Sequence, residues 1–356
     1  MARPPAANDF QHLERLLRRH GIEGEAAFHV LAARYLRALN DAPRRLFARL
    51  RDHAQRADSI TRQDATLKAA MDALVACDPT GGRLADAYQH FIGRRFREGS
   101  GKFFTPPQVA MAMACLLPRV DRAVVMDPTC GGGSFLVAAS VLWGETSCHL
   151  VGNDIESSLV DLTEITLALA APAHHRRTLS EANLYEFGPS LKTWRGKVDY
   201  ILANPPFSLP LETVGATSPL FKLGYHTSDA VFLDVCHALL RPGGRLVCLL
   251  PHSLIVNAEF QKLRAAVEER WRLRGVIALP EGIFHMAANT TTRADILILD
   301  KPASRDSSLR SKTIFASAAT VGVQLNRRMK DDANALAEII IRTDVADALG
   351  LNRCSR

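Results

Sequence analysis

A chain of 356 residues with 47% apolar content has the make-up of a soluble globular protein and is long enough for two domains, or for one with an extension. No apolar run reaches the roughly 18 residues of a membrane helix, and the Met1–Pro5 start lacks the apolar stretch of a signal peptide, so a cytoplasmic protein with no membrane partner is expected. The net charge of +7 sits at the ends, with 17 Lys/Arg against 12 Asp/Glu in residues 1–100 and 10 against 6 in residues 301–356, a pattern that suits flanks gripping a polyanion and equally an Arg-rich surface.

Residues 25–97 read as helical. Ala27-Phe28, Val30-Leu31, Tyr35 and Leu39 recur near helical spacing, and the stretches 44–57, 65–76 and 85–96 repeat the style around a break at Asp78-Pro79-Thr80-Gly81-Gly82. Gly99-Ser100-Gly101 is a hinge, which gives an N-terminal helical domain over residues 1–98. A short helix over 109–117 then precedes an apolar run, Ala123–Met126, and a glycine-rich turn into a helix at 135–142. Further strands are expected at 149–152, 198–203, 245–250, 276–279 and 295–299, with helices at 158–170, 230–240 and 259–271. This alternation predicts an α/β fold with a mostly parallel, doubly wound sheet, placed in a second domain over residues 99–300. Residues 301–356 are polar and weakly patterned and are expected to form a helical docking tail. His174-His175-Arg176-Arg177 reads as a solvated loop. Seven cysteines make no C-x-x-C pair and no zinc-spaced cluster, so reduced, mostly buried thiols and no metal site are expected.

Three motifs carry chemistry. Asp127-Pro128-Thr129-Cys130-Gly131-Gly132-Gly133 follows a strand and opens a helix, and its glycines let the backbone approach a ligand. Its acidic residue precedes the glycines and suits an ammonium better than a phosphate; the aminoacyl end of S-adenosylmethionine carries one. A plain strand–helix turn is the bland alternative. Asp154, in Gly152-Asn153-Asp154-Ile155-Glu156, ends the next strand about 20 residues on, where a carboxylate can hold ribose hydroxyls or cap a helix. Asn204-Pro205-Pro206-Phe207 ends a third strand, which can lie beside the first at the switch point of the sheet. The Asn204 amide oxygen and the Pro205 carbonyl are adjacent acceptors able to bind both hydrogens of an exocyclic amine. Two prolines fix the backbone, and Phe207 offers a face for a purine.

With these motifs in order, the sequence resembles the amino-methylating DNA methyltransferases, and most closely the modification subunits of type I restriction–modification systems. Those enzymes carry a D-P-x-C-G-x-G-x-F-L loop and an N-P-P-F motif. The segment Lys102-Phe103-Phe104-Thr105-Pro106 is similar to their F-x-T-P, and Leu279-Pro280-Glu281-Gly282-Ile283-Phe284 to their L-P-x-G-I-F. The resemblance covers about Gly101 to Asp300. It implies a Rossmann-like class I methyltransferase sheet with S-adenosylmethionine as cofactor and the N6 amine of a flipped-out DNA adenine as substrate. It implies cofactor contacts from Lys102, Phe103, Phe104, Thr105, Pro106, Asp127, Pro128, Thr129, Cys130, Gly131, Gly133, Asp154, Ile155, Asn183 and Leu184. Asn204, Pro205, Pro206 and Phe207 become the catalytic set, with Phe207 and Phe284 stacking the base. Two departures stand out: Ser134 replaces a common glycine, and Asn183 stands where the family has an Asp near the cofactor adenine.

After the catalytic motif about 150 residues remain, and no large recognition domain is visible in them. A specificity subunit, and a second copy of the chain, are therefore the expected partners besides DNA. The same chemistry on RNA or on a protein glutamine, and an inactive cofactor-binding scaffold, are the alternatives. His252, after a strand, is expected either to border the pocket or to be a hydrogen-bonded structural residue, and Trp194 and Trp271 to pack.

Overall fold

A computed structural model describes residues 7–37, 46, 48, 50–78, 84–97, 105–215, 218–283, 293–303, 312–322 and 334–351. Two compact units divide the chain: Met1–Ser100 with Asp161–Ala173, and Gly101–Val160 with His174–Arg356. Among the described residues no helix is long and apolar enough to cross a membrane.

The first unit contains α1 (Ala7–Arg18), α2 (Gly24–Arg37), α3 (Arg51–Gln63), α4 (Ala65–Cys77) and α5 (Leu84–Arg97). Helix α1 lies ahead of the region read as helical. It buries Phe10, Leu13, Leu16 and Leu17 as one stripe, the spacing of a helix with a single apolar face. Phe28 and Tyr88 meet edge to face at 5.1 Å and pin α2 to α5. Asp64 caps α4 by accepting from the Leu67 amide at 2.9 Å, and it also bonds His20 Nε2 at 3.1 Å. These bonds, the backbone one first, hold its carboxyl below the usual range.

The second unit is built on an eight-stranded sheet. After α6 (Pro107–Ala114) come β1 (Ala123–Asp127), α7 (Ser134–Leu142), β2 (Cys148–Asp154), α8 (Ser157–Ala170), whose residues from Asp161 on belong to the first unit, and β3 (Arg176–Glu181). Then follow α9 (Pro189–Lys192), β4 (Val198–Ala203), α10 (Pro219–Lys222), α11 (Ser228–Leu239) and β5 (Leu240–Pro251). The remainder is α12 (His252–Val256), α13 (Gln261–Arg270), β6 (Arg272–Ala278), β7 (Ala294–Asp300), β8 (Ile314–Ser317), α14 (Ala335–Ile341) and α15 (Thr343–Leu349). The spatial order is β3-β2-β1-β4-β5-β7-β6-β8. The first five strands are parallel, and β7 runs against both β5 and β6. The chain winds outward from β1 to β3 and then jumps back to β4 beside β1, so the β1/β4 seam is the switch point.

Burial explains the central strands. β1 and β4 are covered on both faces and read as near-continuous apolar runs, as parallel strands do. The charged residue within β4, Asp199, is satisfied by the Val124 amide at 2.8 Å and by Arg241 Nε at 2.5 Å. Gly152 in β2 is closely packed: a Cβ there would lie 2.6 Å from Leu179 Cδ2 and 3.0 Å from Leu136 Cδ1, so a leucine would have to shift to admit it.

Two strands depart from the expectation. β3 begins inside the stretch read as a solvated loop, and His175 is buried rather than exposed. Its Nδ1 accepts from the Cys148 amide at 3.3 Å and its Nε2 donates to the Ser140 carbonyl at 3.1 Å. The Cys148 thiol beside it is buried, which pushes its pKa up to about 12, so it is inert. β8 extends the sheet beyond the strand expected to be last, parallel to β6. Residues 301–356, expected as a helical tail, thus supply a strand as well as α14 and α15. The end of α15 is clasped to the sheet: buried Arg245 on β5 pairs with Asp300 in two bonds of 2.6 and 3.0 Å and donates to the carbonyls of Leu116 (3.1 Å) and Leu349 (2.9 Å).

Candidate functional site

Ligands bind a doubly wound sheet outside the carboxyl ends of its strands, at the switch point. The residues leaving β1, β2 and β4 at that edge are Asp127, Asp154 and Asn204.

Asp127 ends β1 and is completely buried. Its Oδ1 accepts from the Thr129 amide at 3.1 Å, while Oδ2 has no partner among the described residues. Burial, helped by the nearby Asp154 carboxylate, pushes its carboxyl well above the usual carboxylate range. An acceptor so placed calls for a cation or a proton.

The glycine turn is held by the next strand. Gly131 donates from its amide to Asp154 Oδ2 at 3.0 Å, and Glu156 donates to Asp154 Oδ1 at 3.1 Å. The Cys130 amide donates to the Asn153 carbonyl at 2.8 Å. Gly133, at φ 82, turns the chain into α7 in a conformation that side-chain-bearing residues rarely adopt. Asn153 is a site residue that sequence reasoning passed over. Its buried side chain donates to the carbonyls of Pro128 (3.1 Å) and Ala182 (3.0 Å) and accepts from Ser180 Oγ at 2.8 Å, stapling the loops after β1 and β3 to β2.

Of the expected cofactor residues around this edge, Ile155 is 54% exposed, a large apolar side chain beside Asp154, whereas Leu184 and Cys130 are buried. The Asn183 amide is engaged locally, accepting from the Tyr185 amide and donating to Glu186 Oε1, both at 3.0 Å. Lys102, Phe103, Phe104 and Phe284 lie outside the described residues.

Asn204 links three segments. Its Nδ2 donates to the Thr105 hydroxyl at 3.2 Å, and its carbonyl accepts from the Thr129 hydroxyl at 3.4 Å. The loops carrying Thr105, Thr129 and Asn204 therefore converge across the β1/β4 seam. The Pro205 carbonyl receives no hydrogen bond from the described residues. Pro205 is buried, and Phe207 keeps 7% of its surface exposed, so a base stacks on that ring only if the residues covering it shift. Ser228 and Asp229, which no motif flagged, hold the loop beyond: Ser228 Oγ donates to the Pro206 carbonyl at 2.6 Å, and Asp229 Oδ2 accepts from the Ser208 amide at 3.1 Å. A Ser-Asp pair at a helix start carries no sequence signal beyond ordinary capping. His252 Nδ1 bonds the buried Asp295 at 2.8 Å at the end of the neighbouring strand β5.

Residues 81–342 match the N-6 DNA methylase family. The chain is 26% identical over 259 residues to the type I restriction enzyme MjaVII methylase subunit of Methanocaldococcus jannaschii, covering 66% of this chain and 42% of that protein. It is 26% identical over 191 residues to the tRNA (guanine(10)-N2)-dimethyltransferase of Methanothermobacter thermautotrophicus, covering 52% and 50%. The chain thus spans about half or less of the length of these curated relatives. Among solved structures, a Listeria monocytogenes chain described as a class I S-adenosylmethionine-dependent methyltransferase superposes with a TM-score of 0.62 at 18% identity, covering 97% of this chain and all of the other, which speaks to the fold alone.

Proposed function

Because the chain belongs to the N-6 DNA methylase family, we propose that it moves a methyl group from S-adenosylmethionine to the N6 amine of adenine in DNA. The observation that carries the reading is the seam itself. Asn204, in its N-P-P-F loop, is bonded through its carbonyl to Thr129, in the loop that follows Asp127.

The residues present fit the cofactor. Buried Asp127 Oδ2, without a partner among the described residues, matches the ammonium of the aminoacyl arm. Asp154 is assigned to the ribose hydroxyls, and exposed Ile155 to the adenine ring, for which its side chain is an apolar face. Thr105 and Pro106, and by the resemblance also Lys102, Phe103 and Phe104, are assigned to the methionine end, and Asn183 and Leu184 to the adenine. When bound, S-adenosylmethionine supplies an electrophilic methyl group on a sulfonium.

The protein's own task is positioning. Thr105 takes the amide hydrogens of Asn204, which orients the side chain so that Oδ1 serves as the acceptor. Oδ1 and the Pro205 carbonyl then bind the two amine hydrogens, turn the nitrogen lone pair out of the ring and stabilise the positive charge that develops on it. Inside a duplex the amine is out of reach, so the adenine is flipped out, with Phe207 and Phe284 as its stacking faces. Choice of target sequence is assigned to a partner subunit, a reading supported by the likeness to the methylase subunit of a type I restriction enzyme. A second reading, the same transfer to an amine of RNA, draws on the likeness to a tRNA guanine-N2 enzyme.

The test is incubation with methyl-labelled cofactor and, in turn, unmethylated genomic DNA, RNA and protein, followed by nucleoside analysis. N6-methyladenine in DNA is the expected product. Label confined to RNA or protein overturns the DNA reading.

A further inference from the structure

The two acceptors proposed above differ in how they are held. Asn204 is a side chain with its own partner in Thr105. The Pro205 carbonyl is a main-chain group inside a loop, and its direction depends on the peptides on either side. The peptide before it is fixed where Thr129 Oγ1 bonds the Asn204 carbonyl, 3.4 Å away. The peptides after it are fixed from the first turn of α11. Ser228 Oγ donates to the Pro206 carbonyl at 2.6 Å and accepts from the Leu209 amide at 3.1 Å. Asp229 Oδ2 accepts from the Ser208 amide at 3.1 Å and from the Ser208 hydroxyl at 3.4 Å. Both side chains are buried, at 0% and 3% exposure, while the Ser208 that they hold lies at the surface. Between them Ser208 adopts φ 54, a left-handed conformation that costs a non-glycine residue energy and persists only when its surroundings impose it.

We propose that Ser228 and Asp229 are positioning residues for the reaction, setting the direction of the Pro205 carbonyl by clamping the main chain on both sides of Phe207. The proposal rests on the methyl-transfer reading above. Ser228 fixes the peptide immediately beyond Pro206. Asp229 holds the strained turn that returns the chain toward α11, and its carboxylate lies at the amino end of that twelve-residue helix, where the helix dipole favours a negative group. The hydrogen bonds from both side chains to the loop after β4 go to Pro206, Ser208 and Leu209, so the proposal assigns the pair to positioning the amine rather than to holding the cofactor.

The experiment compares wild type with Ser228→Ala, Ser228→Thr and Asp229→Asn. Single-turnover transfer to genomic DNA is measured beside the cofactor dissociation constant and hydrogen exchange at the Ser208 and Leu209 amides. The rate is expected to fall about 10- to 100-fold in Ser228→Ala, the scale of a small misplacement of a reacting group. Cofactor affinity should stay within about twofold of wild type, and Ser228→Thr should recover most of the rate. Exchange at Ser208 is expected to quicken about tenfold in Asp229→Asn, which retains the shape but weakens the acceptor. A rate that falls only together with cofactor affinity marks a general loss of fold and overturns the proposal, as does an unchanged rate. If the wild-type protein methylates none of DNA, RNA or protein, the methyl-transfer reading is lost. Exchange at the two amides then still decides the clamp: quickened in the variants it stands, unchanged it falls.

Discussion

Asn204 donates a hydrogen bond to Thr105 across 99 positions of sequence, at 3.2 Å. The bond joins the loop after β4 to the segment before α6, and it selects which end of the amide can serve as acceptor. Thr105→Val removes the acceptor for Nδ2 while preserving shape. The expected result is a fall of about 10- to 100-fold in the rate of transfer, with cofactor binding by calorimetry nearly unchanged. Asn204→Ala is expected to cost about 1,000-fold or more, again with the cofactor still bound. Full activity in Asn204→Ala removes the residue from the reaction.

Asp154 organises the glycine turn by accepting from the amides of Gly131 and Glu156. Asp154→Ala leaves both amides without that acceptor. Hydrogen bonds to a charged group contribute about 1.5–3 kcal/mol each, so the dissociation constant of the cofactor is expected to rise about 10- to 100-fold. Calorimetry reads this directly; an unchanged constant would show that the turn holds its shape without the carboxylate.

Asp127 makes stability depend on pH in a defined direction. Its native carboxyl titrates well above the ordinary value of 3.8 because burial disfavours the charge. From that ordinary value upward to the raised one, the folded protein holds a proton that the unfolded chain has released, so stability falls as pH rises through this window. Asp127→Asn removes this dependence. Its melting temperature is expected to exceed that of wild type at pH 8 by more than at pH 5, while its affinity for the cofactor drops because an amide pairs poorly with an ammonium. Parallel melting curves across pH for the two proteins would contradict the assignment.

Gly152 is a packing glycine. Gly152→Ala places a methyl group 2.6 Å from Leu179 Cδ2 and 3.0 Å from Leu136 Cδ1. The expected cost is about 1–3 kcal/mol of stability, the usual range for overpacking a filled site, seen as a lower denaturation midpoint. Wild-type stability in this variant would mean that the two leucines rotate away freely.

The parts legible in the sequence are those where physics leaves few choices. β1 and β4 are enclosed on both faces, so only apolar residues serve, and their runs stand out. The loops at Asp127 and Asn204 carry residue types tied to a reaction, and the resemblance follows from them. Edge strands leave no such mark. β3 has no fully buried position and β8 alternates partly buried with exposed ones, so both pass for loop. Tertiary partnerships are also silent: Asn153 looks like a spacer between Gly152 and Asp154, and nothing near Ser228 announces that its hydroxyl serves a proline 22 positions earlier.

The reversed course of β7 brings both ends of one excursion to a single rim of the sheet. Because β7 runs against its neighbours, β6 ends and β7 begins on the same side of the sheet, with the Leu279 amide bonded to the Ala294 carbonyl at 3.3 Å. The excursion between them starts and finishes beside the strand ends that carry Asn204 and His252. The ladder between β6 and β7 fixes both of its ends at that rim, whatever residues lie between them.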